Sequence, residues 1–83
     1  MRVTVSTPAK VLFEANVREV VLPGEDGELS VMDFHQPFLY RLRAGMMKLR
    51  GEWQRSPNSE SRIRIKKGLA KMFKNELIVL IEN

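Results

Sequence analysis

An 83-residue chain has room for one domain with a thin hydrophobic core, so we expect a single domain spanning 1–83 that gains support from a partner. The absence of cysteine excludes disulfides, thiolate nucleophiles and cysteine-ligated zinc. No apolar run approaches the roughly 20 residues that span a bilayer, and the N-terminus lacks the apolar stretch of a signal peptide. A soluble protein without direct membrane insertion is therefore expected. Its charge is uneven: residues 1–40 carry three basic and six acidic side chains, whereas residues 41–83 carry eleven and four.

The first part of the chain consists of short apolar segments separated by turn residues. Val3 and Val5 alternate with polar neighbours, which predicts a strand with one dry face. A second strand is predicted at Val11–Phe13. The segment Val17–Leu22 is nearly all apolar and predicts a more buried strand. It is followed by a strong turn cluster at Pro23–Gly27, where glycine supplies the positive φ values that tight turns require.

The second part of the chain continues the same pattern. Leu39, Leu42, Met46 and Met47 lie near helical spacing, but Gly45 and the alternation that follows it favour strand. The remaining segments are a polar loop at about Glu52 to Ser61, a strand around Ile63 and Ile65, and a terminal hairpin of Leu69–Phe73 and Leu77–Ile81. Several short strands separated by turns predict an all-β fold, a flattened β-sandwich or barrel of about eight to ten strands.

The residue types offer no constellation for catalysis. His35 is the only histidine, so a histidine-rich metal site is excluded, and an ordinary hydrogen-bonded loop histidine is favoured. The segment Gly24–Gly27 is acidic and lacks the Lys-Ser/Thr ending of a phosphate-binding loop. No nucleophile elbow is present. We therefore expect no catalytic residue, no bound metal and no cofactor.

The basic second half supports an alternative function. The residues that suggest it are six basic residues and Trp53, the one aromatic residue of the second half before Phe73: Arg50, Trp53, Arg55, Arg62, Arg64, Lys66 and Lys67. A small basic β-barrel with stacking aromatics is typical of nucleic-acid binders. However, Arg62, Arg64 and Lys66 fall on one face of one strand, and a solvated strand face is the commoner reason for such a run. Nucleic-acid binding is therefore the minor hypothesis.

Three aromatic residues follow the acidic turn within a short distance. Phe34, Phe38 and Tyr40 exceed the need of so thin a core. At least one of them is expected to pack inside. The others are candidates for anchoring a protein interface, where aromatic side chains are enriched.

These segments resemble a known family. The stretch Val20–Leu29 is similar to the hallmark of the epsilon subunit of F-type ATP synthases: valine-leucine-proline-glycine, acidic residues, glycine and an apolar residue. The segment His35–Leu39 matches the family's histidine, any residue, proline and apolar pair. The similarity covers nearly the whole chain except the loop at about Glu52 to Ser61. The chain departs from the pattern at Ser30, usually glycine, and at Met32–Phe34, usually leucine-proline-glycine.

The resemblance implies a non-catalytic rotor subunit of the central stalk, which links the gamma subunit to the membrane ring and supports coupling of proton or sodium transport to ATP synthesis. It implies a peripheral location on the cytoplasmic face of the inner membrane, or the organellar equivalent. Carried over by position, the gamma-subunit interface contains His35, Phe38 and Tyr40, and the membrane-ring interface contains Glu25, Asp26 and Glu28. Because the chain stops at Asn83, before the family's C-terminal helical hairpin, inhibition by those helices is not expected.

Overall fold

The computed structural model describes residues 1–51 and 59–82, and these residues form nine strands and no helix. The strands are β1 (Arg2–Ser6), β2 (Val11–Asn16), β3 (Glu19–Gly24), β4 (Gly27–Met32), β5 (Phe38–Leu42), β6 (Gly45–Gly51), β7 (Ser59–Ile65), β8 (Lys67–Phe73) and β9 (Glu76–Glu82). The predicted all-β class is confirmed. The helix-like spacing between Leu39 and Met47 belongs to two strands, as Gly45 and the alternation indicated.

The strands form one curled, mixed sheet that bends into two layers. The first layer has the order β2-β1-β9-β8-β5, and the second has the order β4-β3-β6-β7. The layers are joined where Gly24 of β3 pairs with Leu42 of β5. Since β5 and β6 both pair with the same side of β3, the chain passes from one layer to the other at the short connection between them. Such layer-switching strands form the corners of β-sandwiches.

Inward side chains of both layers fill a common core. Alternate residues of β1, β6, β8 and β9 are buried, as period two predicts, whereas β3 is buried at every position after Glu19. The first layer contributes Val3, Val5, Ala70, Met72, Leu77, Val79 and Ile81, and the second contributes Val20, Leu22, Val31, Met47, Leu49 and Ile65. Burial of these apolar side chains is the main favourable contribution to folding.

The turn between β3 and β4 is tighter than the sequence predicted. Pro23 and Gly24 are the last residues of β3, and Gly27 is the first residue of β4. The turn therefore contains only Glu25 and Asp26, while Gly27 has a φ of 131°, which favours glycine. The two carboxylates are consequently held at the tip of a hairpin that is paired up to Gly24 and Gly27.

The predicted polar loop is also shorter at its C-terminal end. Ser59 to Ser61 are strand residues of β7, paired with Leu49–Gly51 of β6, so the loop prediction was wrong there. The physical reason is that ladder hydrogen bonds involve the backbone and do not require apolar side chains. The rest of that prediction, residues 52–58, lies outside the described residues.

The predicted terminal hairpin is confirmed, and its second strand also pairs with the N-terminal strand, which was not predicted. Strands β8 and β9 pair from Lys67↔Glu82 to Phe73↔Glu76. The first strand, β1, then inserts beside β9 in parallel, with Val3 opposite Leu77. The N-terminal strand is thereby placed inside the sheet, between β2 and β9.

Candidate partner-binding surfaces

The three residues predicted for the gamma interface lie in one row, which we call the aromatic row: His35, Phe38 and Tyr40. The rings of His35 and Phe38 meet edge to face at 5.2 Å, and those of Phe38 and Tyr40 stack at 4.9 Å. Phe38 packs partly against the core, which confirms that one aromatic of this segment is internal, whereas Tyr40 is 46% exposed. The row thus combines an anchored ring with an accessible phenol, a combination suited to a protein contact.

The acidic residues predicted for the ring interface are exposed near one end of the sandwich. Glu25 and Asp26 form the β3–β4 turn, and Glu28 follows on β4. The backbone of Glu25 donates a hydrogen bond to the carbonyl oxygen of Arg41 at 3.0 Å, which holds the turn against β5. The three carboxylates therefore form an oriented negative surface that favours a basic partner group.

A groove brings the two predicted interfaces together. It has a volume of about 410 Å³ and runs between the acidic turn and β5. Its walls include Glu25, Asp26 and Glu28 on one side and Tyr40 on the other. The sequence assigned Tyr40 and Glu28 to different contacts, but the structure places them along the same groove. A partner that covers Tyr40 therefore approaches the carboxylates as well.

The largest feature that sequence reasoning missed is the outer side of the first layer. We call it the apolar face, and it consists of Leu39, Leu69, Phe73, Ile78 and Leu80. Their positions alternate with the buried residues of β5, β8 and β9, and Leu69 lies directly opposite Leu80. Each of the five is between 42% and 67% exposed. Lys71 lies on the same face, paired with both Leu39 and Ile78, so the apolar side chains surround one basic residue. A group of half-exposed large apolar side chains with a polar residue among them is a candidate interaction surface.

The signal for this face was present in the sequence. Strands with one solvated side alternate, whereas Leu77–Ile81 is apolar at every position. An uninterrupted apolar strand is typical of a strand covered on both sides. Among residues 1–51 and 59–82, the second layer covers one side of β9, and Ile78 and Leu80 on the other side remain 42% and 45% exposed.

Basic residues occupy the outer side of β6 and β7, where they are partly neutralised. Arg50 donates to Glu19 and to Glu60 at 2.9 Å each, and Arg62 donates to Glu60 at 2.7 Å. Hydrogen bonds from Arg50 and Arg62 hold the pKa of the Glu60 carboxyl below its usual range. The pKa of Glu19 is lowered first by the hydrogen bond from Ser30 and then by Arg50.

This network favours the solvated-face interpretation of the basic strand. Two of the arginines that suggested nucleic-acid binding are already bound to carboxylates, which reduces the positive charge offered to a phosphate backbone. Trp53 and Arg55, which would have supplied stacking and further charge, lie outside the described residues.

Comparison with known proteins assigns the fold to a family. The chain matches the family described as ATP synthase, Delta/Epsilon chain, beta-sandwich domain, over residues 1–83. The chain belongs to this family. It is 34% identical over 83 residues to an ATP synthase epsilon chain of Synechocystis sp., covering 98% of this chain and 56% of that relative. It is also 34% identical over 79 residues to the ATP synthase epsilon chain of the cyanelle of Cyanophora paradoxa, covering 95% and 56%.

Solved structures agree on the fold of this delta/epsilon domain. A cryo-EM structure of the Tetrahymena thermophila mitochondrial ATP synthase, central stalk and c-ring, contains a chain that matches with a TM-score of 0.82 at 18% identity, over 99% of this chain and 63% of that one. A chain of the Euglena gracilis mitochondrial enzyme matches with a TM-score of 0.81 at 16% identity, over 95% and 48%. The chain spans about half the length of the curated relatives it matches, at 56% of each of the two above. Within residues 1–51 and 59–82, no helix has the length and hydrophobicity to cross a bilayer.

Proposed function

We propose that this chain is a non-catalytic rotor subunit of the central stalk of an F-type ATP synthase, where it links the gamma subunit to the membrane ring. The proposal is carried by the apolar face, a group of half-exposed large apolar side chains on a domain of the delta/epsilon family. The named relatives are epsilon chains, and one structural neighbour belongs to a central stalk and c-ring assembly. Its location is then peripheral, at the face of the coupling membrane that bears the catalytic subunits: cytoplasmic in bacteria, with an organellar equivalent.

The apolar face supplies the energy for binding gamma. Fully burying a large aliphatic or aromatic side chain is worth about 1.5–3 kcal/mol. The five residues of the face are roughly half buried already, so a partner that completes their burial contributes on the order of 5 kcal/mol. Leu39 of this face lies between Phe38 and Tyr40 in β5, and alternation along the strand places it on the opposite side of β5 from those two rings. Since β5 is the last strand of the first layer and pairs with β3 at one position, a partner that wraps around β5 contacts both sides of the strand. The gamma contact that we propose therefore includes both the row and the face.

The acidic turn supplies the second contact. Glu25, Asp26 and Glu28 form the wall of the groove opposite Tyr40, and in this proposal they face the polar loops of the membrane ring directly beside the gamma contact. Such a contact adds orientation and specificity more than affinity, since exposed ion pairs contribute little free energy. Coupling follows mechanically: a sandwich with continuous strand ladders bridges gamma and the ring, so rotation of one is transmitted to the other. Catalysis belongs to other subunits of the complex.

Co-elution with the gamma subunit tests this function. The chain and gamma from the same organism, mixed at moderate salt, are expected to leave a size-exclusion column as a one-to-one complex. Tyr40→Asp should weaken that complex, because it places a charge in a desolvated interface. Tyr40→Phe is the matched control and should retain it. Separate elution of the two folded wild-type proteins would refute the proposed stalk role, and unchanged binding of Tyr40→Asp would refute the assignment of the row.

A further inference from the structure

Phe34 has an unusual backbone conformation for a bulky residue. Its φ is 62°, in the left-handed region that residues with a β-carbon seldom occupy. Its side chain is 82% exposed, so no burial of its ring within the domain compensates for this conformation. A strained residue of this kind persists when its surroundings hold it, and it often marks a functional position.

The β8–β9 turn stabilises this backbone conformation of Phe34. The backbone N–H of Phe34 donates a hydrogen bond of 2.7 Å to Oδ1 of Asn75, which is distant in sequence. Asn75 itself is left-handed, with a φ of 58°, a conformation that asparagine tolerates well. Its backbone carbonyl also accepts a hydrogen bond of 3.1 Å from the N–H of Arg2. One asparagine therefore connects the β4–β5 loop, the β8–β9 turn and the start of β1.

Two further contacts fix the same loop. The N–H of His35 donates to the carbonyl oxygen of Met32 at 3.2 Å, which closes a tight turn around Asp33 and Phe34. The carboxylate of Asp33 forms an ion pair with the N-terminal amino group of Met1, and the side chain of Met1 is buried. The loop is thus fixed on both sides of Phe34, and the ring is left pointing away from the domain.

We infer that Asn75 is a positioning residue that holds Phe34 as a further anchor of the gamma-binding surface, next to the aromatic row. This inference rests on the proposed function, since the occupant is the partner that the row binds. Phe34 directly precedes His35, the first residue of the row, and its ring is exposed where the β4–β5 loop meets the β8–β9 turn. Exposed aromatic anchors carry much of the energy of protein interfaces. An anchor that is already fixed also loses less conformational entropy on binding.

Hydrogen exchange of the free protein tests the positioning role without any partner. Asn75→Gly keeps a residue that accepts positive φ but removes the carboxamide, whereas Asn75→Asp keeps an Oδ1 acceptor. We expect the Phe34 amide to exchange about tenfold faster in Asn75→Gly and to remain within about threefold of wild type in Asn75→Asp. Equal protection in wild type and Asn75→Gly would overturn the role of Asn75.

Titration with the gamma subunit tests the anchor. Phe34→Gly removes the ring and relieves the backbone conformation, so it should fold at least as well as wild type and bind gamma about tenfold more weakly. Asn75→Gly should also weaken binding, and Asn75→Asp should largely restore it. If Phe34→Gly binds as tightly as wild type while Tyr40→Asp does not, the anchor is wrong and the stalk function stands. If wild type itself fails to bind gamma, the function and the anchor fail together, and the exchange rates still decide the role of Asn75.

Discussion

Replacing the two β9 residues of the apolar face tests whether that face is an interface. The double variant Ile78→Thr, Leu80→Thr removes apolar surface from the outer side of β9 and leaves Leu77, Val79 and Ile81 in the core. Threonine is a good strand former, so the strand itself should persist. We expect the variant to fold but to bind the gamma subunit distinctly more weakly than wild type.

The size of the effect follows from the exposed fractions. Ile78 is 42% exposed and Leu80 is 45% exposed, so a partner has a little under half of each residue still to bury. With about 1.5–3 kcal/mol for full burial of such a side chain, the double variant should lose about 1 to 2 kcal/mol of binding free energy. That loss corresponds to roughly a 5- to 30-fold rise in Kd.

Isothermal titration with gamma measures this change, at a temperature where thermal unfolding shows both proteins to be folded. Met46→Thr is the matched control, because Met46 is half-buried on the outer side of the second layer, away from the apolar face. It should lower the thermal midpoint modestly and leave Kd unchanged. A double variant that stays folded and binds within about twofold of wild type would show that gamma does not cover this face.

Three further changes probe packing, charge and the ring contact. Gly68→Ala should destabilise the domain by about 1–3 kcal/mol, since its methyl carbon would lie 2.5 Å from the carbonyl oxygen of Leu80, and an unchanged melting midpoint would contradict this close approach. Ser30→Ala removes a 2.6 Å hydrogen bond to Glu19, so an NMR titration should show the pKa of Glu19 rising. A depressed carboxyl pKa stabilises the fold above about pH 4.3, and this contribution is lost as the pH falls from there through the folded-state pKa. In Ser30→Ala the contribution should therefore be smaller and its loss complete at a higher pH, and an unmoved titration of Glu19 would contradict this. Glu28→Lys should weaken retention of the stalk by the membrane ring without changing the melting curve, and equal retention would exclude Glu28 from that contact.

Local patterns in the sequence were enough for most of the strands. Val3 and Val5 alternate with polar residues, and both are fully buried. Ile65 is buried as its alternation predicted, and Lys74 and Asn75 form the turn of the terminal hairpin. These features depend on neighbours in sequence, so short-range periodicity and turn chemistry were sufficient to predict them.

Features made by distant residues were not predicted. The parallel pairing of β1 with β9 and the groove shared by Tyr40 and Glu28 bring together segments that no local pattern connects. The left-handed backbone of Phe34 depends on a side chain of another turn. The apolar face could have been inferred from the uninterrupted run in β9, but which side of that strand is covered is decided by the arrangement of the two layers.

The parallel pairing of β1 with β9 also sets the order in which the domain can form during synthesis. Val3 and Val5 emerge early, yet their neighbours on one side are Leu77 and Val79, near the other end of the chain. Until those residues are available, β1 has only the β2 hairpin, and an isolated two-stranded hairpin is marginally stable at best. The first layer is therefore assembled only after β9 has left the ribosome. The nascent chain keeps an open strand edge and two unburied valines until then, which exposes it to pairing with other chains.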